Sequence, residues 1–173
     1  MRQNGLTLIE LVVVIAIIGI LAVVAGFEFT GWMARYRVES QIKEMYADLM
    51  SERVRAMQRN IQYVAEMANN QYVICEDTNG NNICDNPAET ANSSISQALS
   101  KFNLRYQLNW GFSGGASRIV MDRRGIAAQN GSIWLVQPDG TIWGPADVDY
   151  DCIVISNTRI NLGKYDGANC QAK

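Results

Sequence analysis

The stretch Gly5-Leu-Thr-Leu-Ile-Glu10-Leu-Val-Val-Val-Ile-Ala-Ile-Ile-Gly-Ile-Leu-Ala-Val-Val-Ala-Gly-Phe27 decides how the chain is read. From Leu11 to Phe27 it holds 17 consecutive residues with neither a charge nor a hydrogen-bonding side chain. As a helix rising about 1.5 Å per residue, Leu6 to Phe27 covers about 33 Å, enough to cross a hydrocarbon core of about 30 Å. A cleavable secretory signal is the competing reading, since Arg2 supplies a basic start and Ala22 to Gly26 could pass for a small-residue cleavage site. Glu10 sets the run apart: a carboxylate at the edge of lipid costs on the order of 2.5 kcal/mol and calls for a partner, unless it snorkels to the interface.

The leader MRQNG followed by LTLIELVVVIAIIGILAVV resembles the class III signal of type IV pilins and type II secretion pseudopilins. That resemblance implies a cut after Gly5 by prepilin peptidase on the cytoplasmic side, methylation of the new amine of Leu6, and a need for Glu10 in methylation and assembly. Leu6 stands where the family most often has phenylalanine. In a filament core of packed apolar helices a buried carboxylate is tolerable only when paired, and a neighbouring subunit's N-terminal ammonium would pair Glu10 and set the register. The resemblance also implies a single-pass subunit of the bacterial inner membrane with its head in the periplasm. Its partners would be membrane lipid, other pilins or pseudopilins along the N-terminal helix, and an inner-membrane assembly platform.

After Phe27 the helical pattern continues. Val38, Ile42, Met45 and Leu49, then Tyr46, Met50, Val54 and Met57, recur at three and four, with Glu39/Lys43 and Glu52/Arg55 as helix-spaced ion pairs. No proline interrupts Leu6 to Arg59, which predicts one helix of about 50 residues. A coiled coil is the alternative, but the apolar stripe drifts instead of keeping strict heptads, so it is expected to pack on a following sheet.

Beyond Asn60 the period changes to two. Strands are expected at Ile61–Met67, Gln71–Cys75, Leu104–Trp110, Arg118–Met121, Ser132–Gln137, Thr141–Trp143 and Cys152–Leu162, separated by Asn-, Gly- and Pro-rich turns. Ser93–Lys101 reads equally as loop or as one helical turn. The helix end Ser51-Glu-Arg-Val-Arg-Ala-Met-Gln-Arg-Asn60, then Arg123-Arg-Gly125, Pro138-Asp-Gly140 and Ile153-Val-Ile-Ser-Asn-Thr-Arg-Ile160, resemble the layout of the GspH/FimT minor pseudopilins and minor pilins. Thr158 departs from that family's usual glycine before the arginine of the last strand. The expected fold is α+β and type IV pilin-like: a leader at 1–5, a transmembrane and filament-core helix at 6–27, its amphipathic continuation at 28–60, and an antiparallel β head at 61–173.

Cys75, Cys84, Cys152 and Cys170 all fall in that head, where an oxidising compartment would make them disulfides. Of three connectivities, the sequence-local one, Cys75–Cys84 with Cys152–Cys170, is expected, each loop closure contributing about 3 kcal/mol in the chain-entropy model. A four-cysteine zinc site wants close CxxC pairs, and intervals of eight and seventeen residues do not supply them. Asp77, Asn79, Asn81 and Asp85 occupy positions 1, 3, 5 and 9 of a weak calcium-loop candidate, but position 6 is Asn82 and position 12 is Ala88, so a disulfide-closed Asn/Asp/Gly turn is the expected reading, with no cofactor.

The chain contains no histidine, which removes Ser-His-Asp and Cys-His nucleophile pairs and HExxH zinc chemistry, and nothing marks a catalytic carboxylate pair, so no enzyme is expected. From residue 61 onward 8 Lys+Arg face 11 Asp+Glu, a net of −3 that disfavours nucleic acid. Trp110, Trp134 and Trp143 sit in strand patterns and read as core. These readings converge on a non-catalytic minor pilin-like subunit. They leave open a type II secretion pseudopilus or a type IV pilus with initiation, tip, adhesion or DNA-uptake duties.

Overall fold

The computed structural model describes residues 7–84, 100–137, 139–143 and 148–173, with backbone alone for 24–31 and 100–103. Among the described residues one α-helix, α1 (Leu8–Arg59, 52 residues), leads into nine strands. This is the α+β, type IV pilin-like order that the sequence predicts. The chain divides into two compact units, Met1–Arg37 and Val38–Lys173. The helix ends where Asn60 adopts a positive φ of 54°, a left-handed cap that asparagine tolerates.

Within the second unit the strands are β1 (Gln62–Ala68), β2 (Gln71–Asp77), β3 (Ser100–Asn103), β4 (Gln107–Phe112), β5 (Arg118–Met121), β6 (Gly131–Val136), β7 (Cys152–Ile155), β8 (Ile160–Tyr165) and β9 (Cys170–Ala172). They form two antiparallel sheets in place of one: a four-stranded sheet ordered β3-β2-β1-β5 and a five-stranded sheet ordered β4-β6-β7-β8-β9. The Asn69-Asn70 turn closes the β1–β2 hairpin, with Ala68 opposite Gln71, and its two carbonyls accept the N–H groups of Leu108 and Leu104. One hairpin tip therefore holds the chain as it passes from the first sheet to the second.

Three strand expectations change. Leu104–Trp110 shifts to Gln107–Phe112, because the Leu104 N–H is spent on the hairpin tip. Cys152–Leu162 is two strands, since Ser156 and Arg159 bond each other's backbone across Asn157-Thr158 and fold the run into a hairpin. Thr141–Trp143 is not a strand; it delivers Trp143 into the core, edge-on to Tyr106 at 5.5 Å. The strand β3 overlaps the end of the undecided stretch Ser93–Lys101, whose residues 93–99 lie outside the described ones.

The core gathers around the helix. Val38, Ile42, Met45 and Ala56 are fully buried and Leu49 is 1% exposed, and they share one cluster with Tyr63, Ala65 and Met67 of β1, Tyr72 and Ile74 of β2, Leu108 and Phe112 of β4, Ile119 of β5, Ile133 and Leu135 of β6, and Ile153 and Ile155 of β7. The second expected row only half holds: Tyr46 and Met50 pack on the core, whereas Val54 and Met57 are exposed. Polar contacts flank the stripe. The Gln41 side chain accepts the N–H groups of Arg105 and Tyr106 and donates to the Tyr106 carbonyl. Glu39 accepts the Asp149 N–H at 2.9 Å and Lys43 at 2.8 Å. Burial works against the Glu39 charge, but these two donors outweigh it and hold the carboxyl below its ordinary range.

At the far end of the stripe the helix meets β1 and β2 through ionisable groups. Tyr72 donates to Asp48, Tyr63 donates to Glu76, and Arg59 pairs with Glu76. Glu52 is 7% exposed, and Arg55 bonds its Oε1, while its Oε2 is buried without a hydrogen-bond partner among the described residues. Burial raises this carboxyl above its ordinary value of 4.5, helped by Asp48 and Glu76 and opposed by Arg55.

Two outcomes follow for the purified full chain in detergent. Leu49→Ala is expected to cost about 2–5 kcal/mol in denaturant unfolding, and Met57→Ala on the exposed row about 0.5 kcal/mol or less. Folded Glu52 holds its proton more tightly than unfolded Glu52, so its charged form subtracts stability at neutral pH. That penalty fades as pH falls toward 4.5. Glu52→Gln should therefore unfold at a higher temperature than the wild type at neutral pH, with the gap closing on acidification; a gap that is constant with pH contradicts this.

Candidate functional site

Gly5 and Leu6 lie outside the described residues. Immediately after them, Thr7 and Glu10 form a reciprocal cap: the Thr7 N–H and Oγ1 donate to Glu10 Oε2 at 2.9 and 3.0 Å, and the Glu10 N–H donates to Thr7 Oγ1 at 3.3 Å. This is the capping-box arrangement of a Thr-x-x-Glu sequence, and it starts α1 one residue after Thr7. The signal lies in the Thr7-Leu-Ile-Glu10 spacing, which Glu10 taken alone does not reveal. In the single subunit the Glu10 carboxylate thus serves its own helix.

From Leu8 onward the helix exposes apolar side chains on every face: Leu8, Ile9, Leu11, Val12, Val13, Val14, Ile15, Ile17, Ile18, Ile20, Leu21 and Val23 are all about half exposed or more, from 48% at Val13 to 83% at Leu8. A helix apolar all round is one that water does not suit. The described part, Leu8 to Val23, is 16 residues with Glu10 inside it, and among the described residues no helix is long and apolar enough to cross a membrane.

The four cysteines pair as the sequence-local reading expects, Cys75 with Cys84 and Cys152 with Cys170, at Cα separations of 5.8 and 6.1 Å. Each disulfide covers the face of its sheet turned away from the helix. Cys75 joins Val64 and Val120 in a small second cluster, with Cys84 half-buried against it, which explains why Tyr63, Val64 and Ala65 of β1 are buried in succession. On the second sheet, Gly163 leaves room for Cys170: a Cβ there would meet the Gln171 carbonyl oxygen at 2.5 Å and Cys170 Sγ at 2.9 Å. Trp134 and Tyr165 stack nearby, 4.6 Å between centroids and 3° between planes.

The calcium-loop candidates are brought together, but their oxygens serve the turn. Asp77 Oδ1 accepts the Gly80 N–H, and its Oδ2 accepts the Asn82 N–H and the Gln62 amide. Asn79 Oδ1 accepts the Asn81 N–H, and Asn81 Oδ1 accepts the Ile83 N–H. Asn82 takes a positive φ of 64°, the conformation for which glycine would be the usual choice. Asp85 lies outside the described residues, and among those described no group of three or more acidic or cysteine side chains has metal-binding geometry.

Buried charge is what sequence reasoning missed. Asp151 is 1% exposed, accepts Lys164 Nζ at 2.8 Å and the Tyr165 N–H at 2.7 Å, and so ties the end of β8 to the start of β7. Nothing local to Asp151 announces this, because its partners come from a strand reached only after the next hairpin. Three further basic side chains of the head have acidic neighbours nearer the surface: Arg118, Arg124 and Lys173 lie within 3.9 Å of Glu66, Asp122 and Asp149. These pairs diminish the positive surface open to a phosphate backbone.

No curated protein and no solved structure matches the chain. Residues 1–26 match the family model described as the prokaryotic N-terminal methylation motif. The chain therefore carries, over its first 26 residues and including the capped start of the apolar helix, the class III prepilin signal through which prepilin peptidase processes type IV pilin-like proteins.

Proposed function

We propose that the chain is a minor pseudopilin of the GspH/FimT kind, a structural subunit of a type II secretion system that does no catalysis itself. Prepilin peptidase removes residues 1–5, and the helix from Leu6 anchors the subunit in the inner membrane until it enters a short periplasmic pseudopilus beside other pseudopilins. The observation that carries this reading is the methylation motif at residues 1–26 heading a helix that is apolar on every exposed face and then, from Val38, buries one stripe under a disulfide-closed head. In the filament, the Glu10 carboxylate exchanges its Thr7 contacts for the N-terminal ammonium of a neighbour. The net charge of −3 beyond residue 60 favours protein contacts over DNA.

Intact mass and N-terminal sequencing of the protein from native membranes test the processing. The expected species starts at N-methyl-Leu6 and alkylates four cysteines only after reduction. Gly5→Val should leave the leader in place, and Glu10→Val should be cleaved but fail to enter filaments. A start at Met1 in the wild type, or a cut near Gly26, overturns the reading. Deleting the gene should abolish secretion of folded exoproteins while leaving surface pili and twitching intact; loss of pili with secretion unchanged would assign the subunit to a type IV pilus.

A further inference from the structure

Between the apolar run and the stripe that starts at Val38, the helix reads Glu28-Phe-Thr-Gly-Trp-Met-Ala-Arg-Tyr-Arg37. Trp32 and Tyr36 lie one turn apart with ring centroids at 6.4 Å, and they are 62% and 63% exposed. Arg35 and Arg37 are exposed as well. At about 100° per residue, the two rings share one side of the helix, with Arg35 about 60° before Trp32 and Arg37 about 100° beyond Tyr36. The arginines bracket the aromatic pair.

Two large rings left open to water are costly in a soluble setting. Indole and phenol are amphipathic, however, and concentrate where hydrocarbon gives way to headgroups. Their depth fits that layer. Along the helix Trp32 lies about 33 Å from Glu10 and Tyr36 about 39 Å, while a hydrocarbon core is about 30 Å thick and a bilayer with its headgroups about 40–45 Å. With Glu10 at one edge of the hydrocarbon, both rings reach the opposite headgroup layer, and the arginines, on long flexible stems, meet lipid phosphates there.

We propose that Trp32, Arg35, Tyr36 and Arg37 form an interfacial collar that seats the helix at fixed depth, its arginines gathering anionic phospholipid around the end remote from Glu10. The collar rests on the anchor reading of the helix given above. It is also what a subunit has to release when it leaves the bilayer for a filament, so it governs how firmly the unassembled subunit is held.

The test uses the full chain reconstituted in phosphatidylcholine vesicles carrying nitroxide quenchers at the headgroup or deep in the acyl chain. Subtracting the emission of Trp32→Leu from that of the wild type isolates Trp32. The expected result is severalfold stronger quenching by the headgroup label than by the deep label. Headgroup-labelled phosphatidylglycerol should also quench severalfold more than headgroup-labelled phosphatidylcholine at equal content, and this preference should vanish in Arg35→Gln/Arg37→Gln. Stronger quenching by the deep label overturns the collar. A phosphatidylglycerol preference that is absent, or unchanged in the double variant, overturns the role of the arginines. No quenching by any lipid label, in a chain that still resists carbonate extraction, places Trp32 outside the membrane and overturns the collar with the anchor intact. Release of the chain by carbonate overturns the anchor reading itself.

Discussion

The head depends on one physical constraint: a row of helical side chains, Val38, Ile42, Met45, Leu49 and Ala56, has to leave water together, and both sheets contribute to the surface that receives it. Gln41 and Glu39 beside that row each bond to backbone of the head, so they fix where the chain passes as well as what it contacts. Strand order follows from this arrangement. The β1–β2 hairpin lies against the helix, and its tip carbonyls receive Leu104 and Leu108, which brings the second sheet alongside the first.

Faces that the helix does not cover are closed by other means. On the first sheet the Cys75–Cys84 disulfide lies over Val64 and Val120; on the second, Cys152–Cys170 accompanies the Trp134–Tyr165 stack. Each staple joins chain segments close in sequence, so it tightens the outer layer of a sheet without linking the two sheets. The buried Asp151–Lys164 pair acts in the same region, bridging β7 and β8 where apolar packing alone would leave two charges unmatched.

How much of this was legible depended on range. The helix and the Asn69-Asn70 turn rest on neighbours within a few residues, the disulfides on partners 9 and 18 residues apart, and β5 on its own short apolar run, and the sequence carried each of them. The short strands β3 and β9 escaped because Ser-Lys-Phe-Asn and Cys-Gln-Ala have no alternation to read; they exist by pairing with β2 and β8. The row continuing through Val54 and Met57 had the right spacing but stays 41% and 47% exposed, and burial passed to Glu52 and Ala56 instead. For the candidate site, the processing motif was plain, whereas the use of Glu10 as its own helix cap required reading Thr7 with it.

The close approach at Gly163 has a consequence for how such a chain can drift. A side chain at position 163 would strike both the backbone of β9 and the sulfur of Cys170, so the Cys152–Cys170 pair leans on a third codon, the one that keeps glycine at 163. A lineage that loses the disulfide still keeps position 163 closed by the β9 backbone, 2.5 Å from any Cβ there, whereas one that first replaces Gly163 forfeits the disulfide. Among relatives, glycine at 163 is expected wherever the two cysteines stand, and to outlast them where they are lost.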